Sequence, residues 1–272
     1  MKKVSVILNT FRRPHSLKSQ YEAIKKQSVK ADEILLWQNY PGENIKFNLD
    51  DIDASVASNN YNYGVWARFA HALNTKSDYI CVFDDDTIPG ENWFKNCINC
   101  IENENNGLYG TIGVNFFDLD YVHYKRHGWA NPNEKTEQVD IVGHAWFFHR
   151  DLLSAFWRET QPPLSNMCGE DMHFSYSIQK YMNLNTYVPP HPKEDRSLWG
   201  SDPELAYKFG VDKNAIEMTI NRIIDNASVA IASLNRRPVI SSREMALKHS
   251  RKNGALLFGV SNKLKFDCEW VA

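Results

Sequence analysis

Tyr79-Ile80-Cys81-Val82-Phe83-Asp84-Asp85-Asp86-Thr87 is the stretch on which the fold turns. Apolar and aromatic residues run without a polar break from Tyr79 to Phe83 and then meet three adjacent carboxylates. Such a run fits a strand buried on both faces, as in a parallel sheet covered by helices. Neighbouring carboxylates repel one another unless a cation or solvent compensates them. A solvated acidic turn is the bland reading of Asp84, Asp85 and Asp86. Their place directly after a buried strand favours an oxygen-rich site for Mg2+ or Mn2+, hard ions that bind through few carboxylates plus substrate phosphates.

The flanking segments supply the rest of the sheet. Upstream, residues 4–9 form a second β-rich apolar run, and Pro14 suits a helix start. Leu17, Tyr21 and Ile24 then recur at helical spacing through Gln27. Residues 33–38 read as a strand closed by the turn Asn39-Tyr40-Pro41-Gly42, residues 55–57 as a short third strand and 65–73 as a helix. This order predicts an α/β fold with a doubly wound, mostly parallel sheet and right-handed crossovers. Ligands of such sheets sit outside the carboxyl ends of the strands, where residues 10–13, Asn39 and the triplet all fall.

Downstream the spacing predicts a helix over 93–101, one strand over 109–115, a loop or hairpin over 118–135 and a strand-like segment over 138–148. A helix begins over 151–158, another spans 172–182, and 186–188 is extended before Pro189-Pro190-His191-Pro192. A late amphipathic helix is expected over 215–234. The economical organisation is one domain over 1–272: a nucleotide-binding half to about 115, an acceptor half over about 116–200, and a helical C-terminal extension over about 201–272.

Composition narrows the partners. Hydrophobic residues make up 43% and charged residues 24%, ordinary for a globular protein with a sizeable core. Thirty-one basic against 33 acidic residues give a net charge of −2, so nothing predicts a nucleic-acid scaffold. No stretch approaches the roughly 20 apolar residues of a bilayer crossing. The charged start Met1-Lys2-Lys3 leads into too short an apolar run for a signal peptide, because Arg12-Arg13-Pro14 follows at once. A cytoplasmic protein is expected, with peripheral membrane contact left open. Cys97-Ile98-Asn99-Cys100 is a lone CxxC without a second pair, so its cysteines are expected to be ordinary reduced thiols on a helix.

With these pieces in place, the chain resembles a GT-A glycosyltransferase, in which such a strand ends in a DxD motif. More narrowly it resembles the exostosin-like C-terminal catalytic domain, of the family 64 type. Leu8-Asn9-Thr10-Phe11-Arg12-Arg13, Leu36-Trp37-Gln38-Asn39, Asp84-Asp85-Asp86-Thr87, residues 141–148 and Cys168-Gly169-Glu170-Asp171 carry the likeness in the family order. Past about residue 195 it fades. The resemblance implies a hexosyl- or N-acetylhexosaminyltransferase that uses Mn2+ or Mg2+. Its donor would be a nucleotide sugar of the UDP-sugar kind, and its acceptor a carbohydrate or other hydroxyl.

Residue by residue, the resemblance assigns Thr10 and Arg13 to the nucleotide, and arginine can donate paired hydrogen bonds to phosphate. Asn39 faces the base or ribose, although its turn sequence suits a purely local role equally well. Arg68 matches a nucleotide-binding arginine, with an exposed helix arginine as its bland reading. Asn62 joins this group loosely. Asp86 is the direct metal ligand, Asp84 faces the ribose or metal-bound water, and Asp85 faces the donor sugar. Glu170 and Asp171 precede a helix, where acids are favoured by the dipole alone. The resemblance places them beneath sugar and acceptor, although the family pattern has two aspartates. His191 is a candidate further metal ligand, or else a plain surface histidine. The exostosin likeness favours retention of anomeric configuration, between which and inversion the residues themselves do not choose. The alternatives are an inverting enzyme of the family-2 type and a catalytically silent nucleotide-sugar-binding module.

Overall fold

The computed structural model describes residues 2–117, 124–129, 131–158, 169–205 and 251–252. The helix expected over 215–234, most of the C-terminal extension, and Cys168 and Cys268 lie outside these residues.

The first half follows the expected order: β1 (Val4–Thr10), α1 (Pro14–Lys25), β2 (Glu33–Gln38), β3 (Ser55–Ser58), α2 (Ala67–His71) and β4 (Tyr79–Phe83). Then come α3 (Trp93–Asn103), β5 (Gly107–Tyr109), β6 (Ile112–Phe116), β7 (Tyr124–Gly128), β8 (Glu137–Val139), β9 (Ile141–Gly143) and β10 (Ala145–His149). A short α4 (Leu153–Phe156), α5 (Glu170–Met182) and β11 (Asn185–Val188) follow. Eight strands form one sheet in the order β3-β2-β1-β4-β10-β5-β11-β8. The first four are mutually parallel, β10 inserts antiparallel between β4 and β5, and β11 runs parallel to β5.

Period-two alternation along the strands builds two cores, one on each face. Val4, Val6 and Leu8 of β1 join Cys81 and Phe83 of β4 beneath α1 and α3, which add Leu17, Ile24, Trp93, Phe94 and Cys97. On the opposite face Ile7, Ile80, Val82, Trp146 and Phe148 meet α2, α4 and α5 through Phe69, Phe156 and Phe174. The Phe69 and Phe156 rings stack at 4.7 Å. Every residue of β4 is buried, as its unbroken apolar run predicts. Cys97 and Cys100 are free thiols buried on α3. Among the described residues, no helix is long and apolar enough to cross a membrane.

Two expectations are corrected. The single strand expected over 109–115 is two strands in different sheets, because β5 ends at Tyr109 while β6 pairs with β7 and β9 in a separate three-stranded sheet. The chain crosses at Gly110, where an added Cβ would stand 2.5 Å from Val142. The segment 138–148 is likewise three strands, β8, β9 and β10, interrupted at Asp140 and His144. Asp140 is buried and accepts a hydrogen bond from the Phe116 N–H at 2.7 Å, so its carboxylate is a tie between segments.

Candidate active site

Strand direction decides which residues meet. The parallel strands β1, β2 and β4 end at the same edge, with Thr10, Asn39 and Asp84. Because β10 is antiparallel to β4, its beginning lies there too, and Ala145 pairs with Phe83. The Asp84 N–H donates to the His144 carbonyl at 2.8 Å. His144 has φ +71°, a left-handed conformation that costs a residue with a Cβ about 1–2 kcal/mol. The strain is held by β9 and β10 on either side, and it turns the imidazole toward the triplet, with Nδ1 3.0 Å from Asp84 Oδ2.

Helix α1 shapes the triplet loop through buried polar side chains. Gln20 Nε2 donates to the carbonyls of Asp84 and Thr87, both at 2.7 Å, and Ser16 Oγ donates to the Asp85 carbonyl at 2.5 Å. Asn9 Nδ2 reaches the Phe83 carbonyl at 2.6 Å, and Gln27 Nε2 reaches Gly90 at 2.7 Å. Sequence reasoning does not single these residues out. For Ser16 and Gln20 the signal is a pair of polar residues at helical spacing on the face of α1 that also buries Leu17 and Ile24. Replacing Gln20 by Ala leaves two carbonyls of a buried loop without their donor. The expected cost is about 1–3 kcal/mol in urea unfolding. An unchanged unfolding midpoint would show that the loop holds its shape without Gln20.

The charges are paired unevenly. Arg13 donates to Asp85 and lies 3.5 Å from Asp86. Arg68 is 2% exposed, and its guanidinium donates to Asp84 and, at 2.7 Å, to Glu170, with its carbon 4.6 Å from the Trp146 ring centre. Burial opposes ionisation of Asp84, but Arg68 and His144 together hold its carboxyl well below the usual range. Burial pushes Asp85 up to about 6 in spite of Arg13, and Glu170 up to about 7 in spite of Arg68. Asp86 is raised by burial and by Asp84. Desolvation works against charge on His144, and its hydrogen bond to Asp84 and the nearby carboxylates outweigh it.

Asp84, Asp86 and His144 each offer one ligand atom, all within 4.8 Å of one another. Arg13 serves Asp85 first and Arg68 is shared with Glu170, so the carboxylates of this pole outnumber its arginines. Two carboxylate oxygens and an imidazole nitrogen form a donor set that a divalent cation accepts, and the excess negative charge fits one. His144 is the member of this set that the sequence motifs do not assign.

The remaining candidates divide. Thr10 is buried at the end of β1, and its Oγ1 has no hydrogen-bond partner among the described residues. The Asn39 carbonyl oxygen accepts from Trp37 Nε1 and the Tyr63 N–H, both at 3.0 Å, and its amide nitrogen donates to the Gly64 carbonyl. Asn39 therefore pins the 61–64 loop to the end of β2, and Asn62 closes that loop on Gly64. Arg68 is brought to the site as a buried bridge between carboxylates, and not as an exposed helix residue.

His191 is not brought to the carboxylate cluster. It is fully buried between Trp93 and Trp199, with Nδ1 against the Pro189 carbonyl at 2.8 Å and Nε2 against Thr111 Oγ1 at 2.9 Å. Both ring nitrogens are thus engaged, and burial pushes its pKa down to about 4. The proline-framed segment tucks the ring into the interior. Glu170 and Asp171 open α5 after Gly169, whose φ of +92° lets the chain turn into the helix. Asp171 is half-buried, with Oδ1 accepting the Met172 N–H at 2.8 Å.

A mostly parallel sheet wound on both faces, with an aspartate loop at the carboxyl end of β4, is the architecture of a GT-A glycosyltransferase. Residues 5–157, more than half of the chain, match glycosyl transferase family 2, and the chain belongs to that family. The matched span contains Arg13, Arg68, the aspartate triplet and His144. It stops before Glu170 and Asp171, and it does not single out the exostosin type.

Proposed function

We propose that this protein transfers a sugar from a UDP-sugar to a hydroxyl of a carbohydrate or other acceptor, assisted by Mn2+ or Mg2+. The observation that carries the reading is the convergence of Asp84, Asp86 and His144 at the carboxyl end of β4 in a family 2 chain. These three residues would hold the cation. Bound there, it would neutralise the charge that the diphosphate gains as the sugar bond breaks. Arg13 and Thr10 line the nucleotide end, with the Asn39–Asn62 loop beside them. Arg13 steadies Asp85 and stands at the edge of the phosphate site.

Family membership supports the inverting alternative over retention. Asp171 then acts as general base, taking the proton of the acceptor hydroxyl as its oxygen attacks the anomeric carbon opposite the departing diphosphate. Glu170 is tied to Arg68, so its role is to position the arginine that holds Asp84. Hexose and N-acetylhexosamine donors both remain within the proposal.

Calorimetry with UDP tests the metal. In chelator the diphosphate meets the carboxylates of this pole unscreened, and affinity is expected to fall by about a hundredfold relative to 1 mM-scale Mn2+. Equal affinity in both conditions would remove the cation from the proposal.

A further inference from the structure

We infer that Trp129 is a sugar-binding residue. Its indole forms a wall for the donor's pyranose ring, and its ring N–H donates to a hydroxyl of that sugar. The inference rests on the nucleotide-sugar reading above.

Register brings Trp129 to the site. Ile112 of β6 pairs with Gly128 of β7 on one side and with Gly143 of β9 on the other. Both partners run antiparallel to β6, so both leave the small sheet at the same end, one at Trp129 and the other at His144. The two rings lie 6.3 Å apart at 76°. His144 in turn touches Asp84. The indole therefore stands one imidazole away from the proposed cation. In the sheet order β2-β1-β4-β10 it lies on the β10 side, opposite the β2 end that carries Asn39. A donor laid across that edge with its base near β2 and its diphosphate at Asp84 and Asp86 presents its sugar to Trp129.

The turn that carries Trp129 is built from buried groups. Gly128 has φ +94°, and a Cβ there would stand 2.0 Å from the Thr111 carbonyl. That same carbonyl accepts the Trp129 N–H at 3.3 Å. Buried Asn133 accepts the Gly128 N–H at 3.0 Å and donates to the Pro189 carbonyl at 2.9 Å. Asn133 and His191 also exchange backbone hydrogen bonds, and the His191 ring holds Thr111. His191 thus supports the platform from within.

The ring itself points to a ligand. Trp129 is half-buried, and its Nε1 is buried with no hydrogen-bond partner among the described residues. Buried indole N–H groups ordinarily find an acceptor. An apolar face with one donor suits a pyranose, which offers C–H faces and hydroxyl oxygens. It does not suit a diphosphate, which calls for charge.

Binding of UDP, UDP-glucose, UDP-galactose and UDP-N-acetylglucosamine, with Mn2+ and without acceptor, tests the inference in wild type, Trp129→Ala and Trp129→Phe. Trp129→Ala is expected to weaken at least one UDP-sugar by about tenfold and UDP by less than about twofold. Trp129→Phe keeps a ring and removes only the N–H. It should weaken the same sugar several-fold without lowering the melting temperature, because no protein hydrogen bond is lost. Equal effects on UDP and every UDP-sugar in both variants, including no effect, would overturn this inference alone. Failure of UDP to bind the wild type with Mn2+ would remove the nucleotide-sugar reading and this inference with it.

Discussion

Asp86→Asn is expected to fold like the wild type and to lose turnover by about a thousandfold, the scale of a lost electrostatic stabiliser of the departing group. The two halves of this expectation have separate causes. The loop keeps its shape because Gln20, Ser16 and Asn9 hold its carbonyls, and Asp86's side chain is not among those ties. Its carboxyl is in fact raised by burial and by Asp84, so an amide relieves a repulsion in the metal-free protein. Chemistry fails because the amide keeps the shape and drops the charge that would hold the cation. Urea unfolding and a Mn2+ titration of the rate on one preparation read both halves. Wild-type rates at low Mn2+ would show that Asp86 is not a ligand.

Asp171→Asn carries the second large effect, a fall in kcat of about a hundred- to ten-thousandfold with UDP affinity near the wild-type value. Asp171 lies on α5, outside the strand ends that form the proposed nucleotide and cation site, so donor binding should survive. A residue that merely favours the start of α5 predicts the opposite pattern. Stability would drop by about 0.3–1 kcal/mol, and the folded fraction would turn over normally. Thermal melting, UDP titration and product formation with a competent acceptor separate the two. Normal turnover would end the assignment of Asp171 and leave Glu170, already committed to Arg68, to be tested as the base.

The sheet was legible where local signals agree. β4 and β2 match the expected bounds because unbroken apolar runs end at a carboxylate or a turn, and α1 starts at a proline that can only begin a helix well. Residues 109–115 and 138–148 were not legible, because period alone cannot say that a run changes sheets. Gly110, Asp140 and His144 mark the breaks, but only long-range pairing gives them that meaning. The site divides in the same way. The triplet announces itself by residue type and place, whereas Arg13, Arg68 and Glu170 enter only through the family resemblance. His144 reaches Asp84 through the antiparallel insertion of β10, and His191 is taken into the core by contacts with Thr111 and Pro189 that lie far away along the chain or in backbone alone.

Arg68 has one consequence beyond holding its neighbours. Its guanidinium spans Asp84, proposed to help hold the cation, and Glu170, the residue beside the proposed base. One buried cation shared by two acids makes their energies non-additive: removing either lets the other claim the whole charge, while removing both strands the arginine. Asp84 and Glu170 are therefore not expected to respond to substitution as independent positions. A substitution at either acid is expected to change the effect of one at the other, which a double-mutant cycle would read.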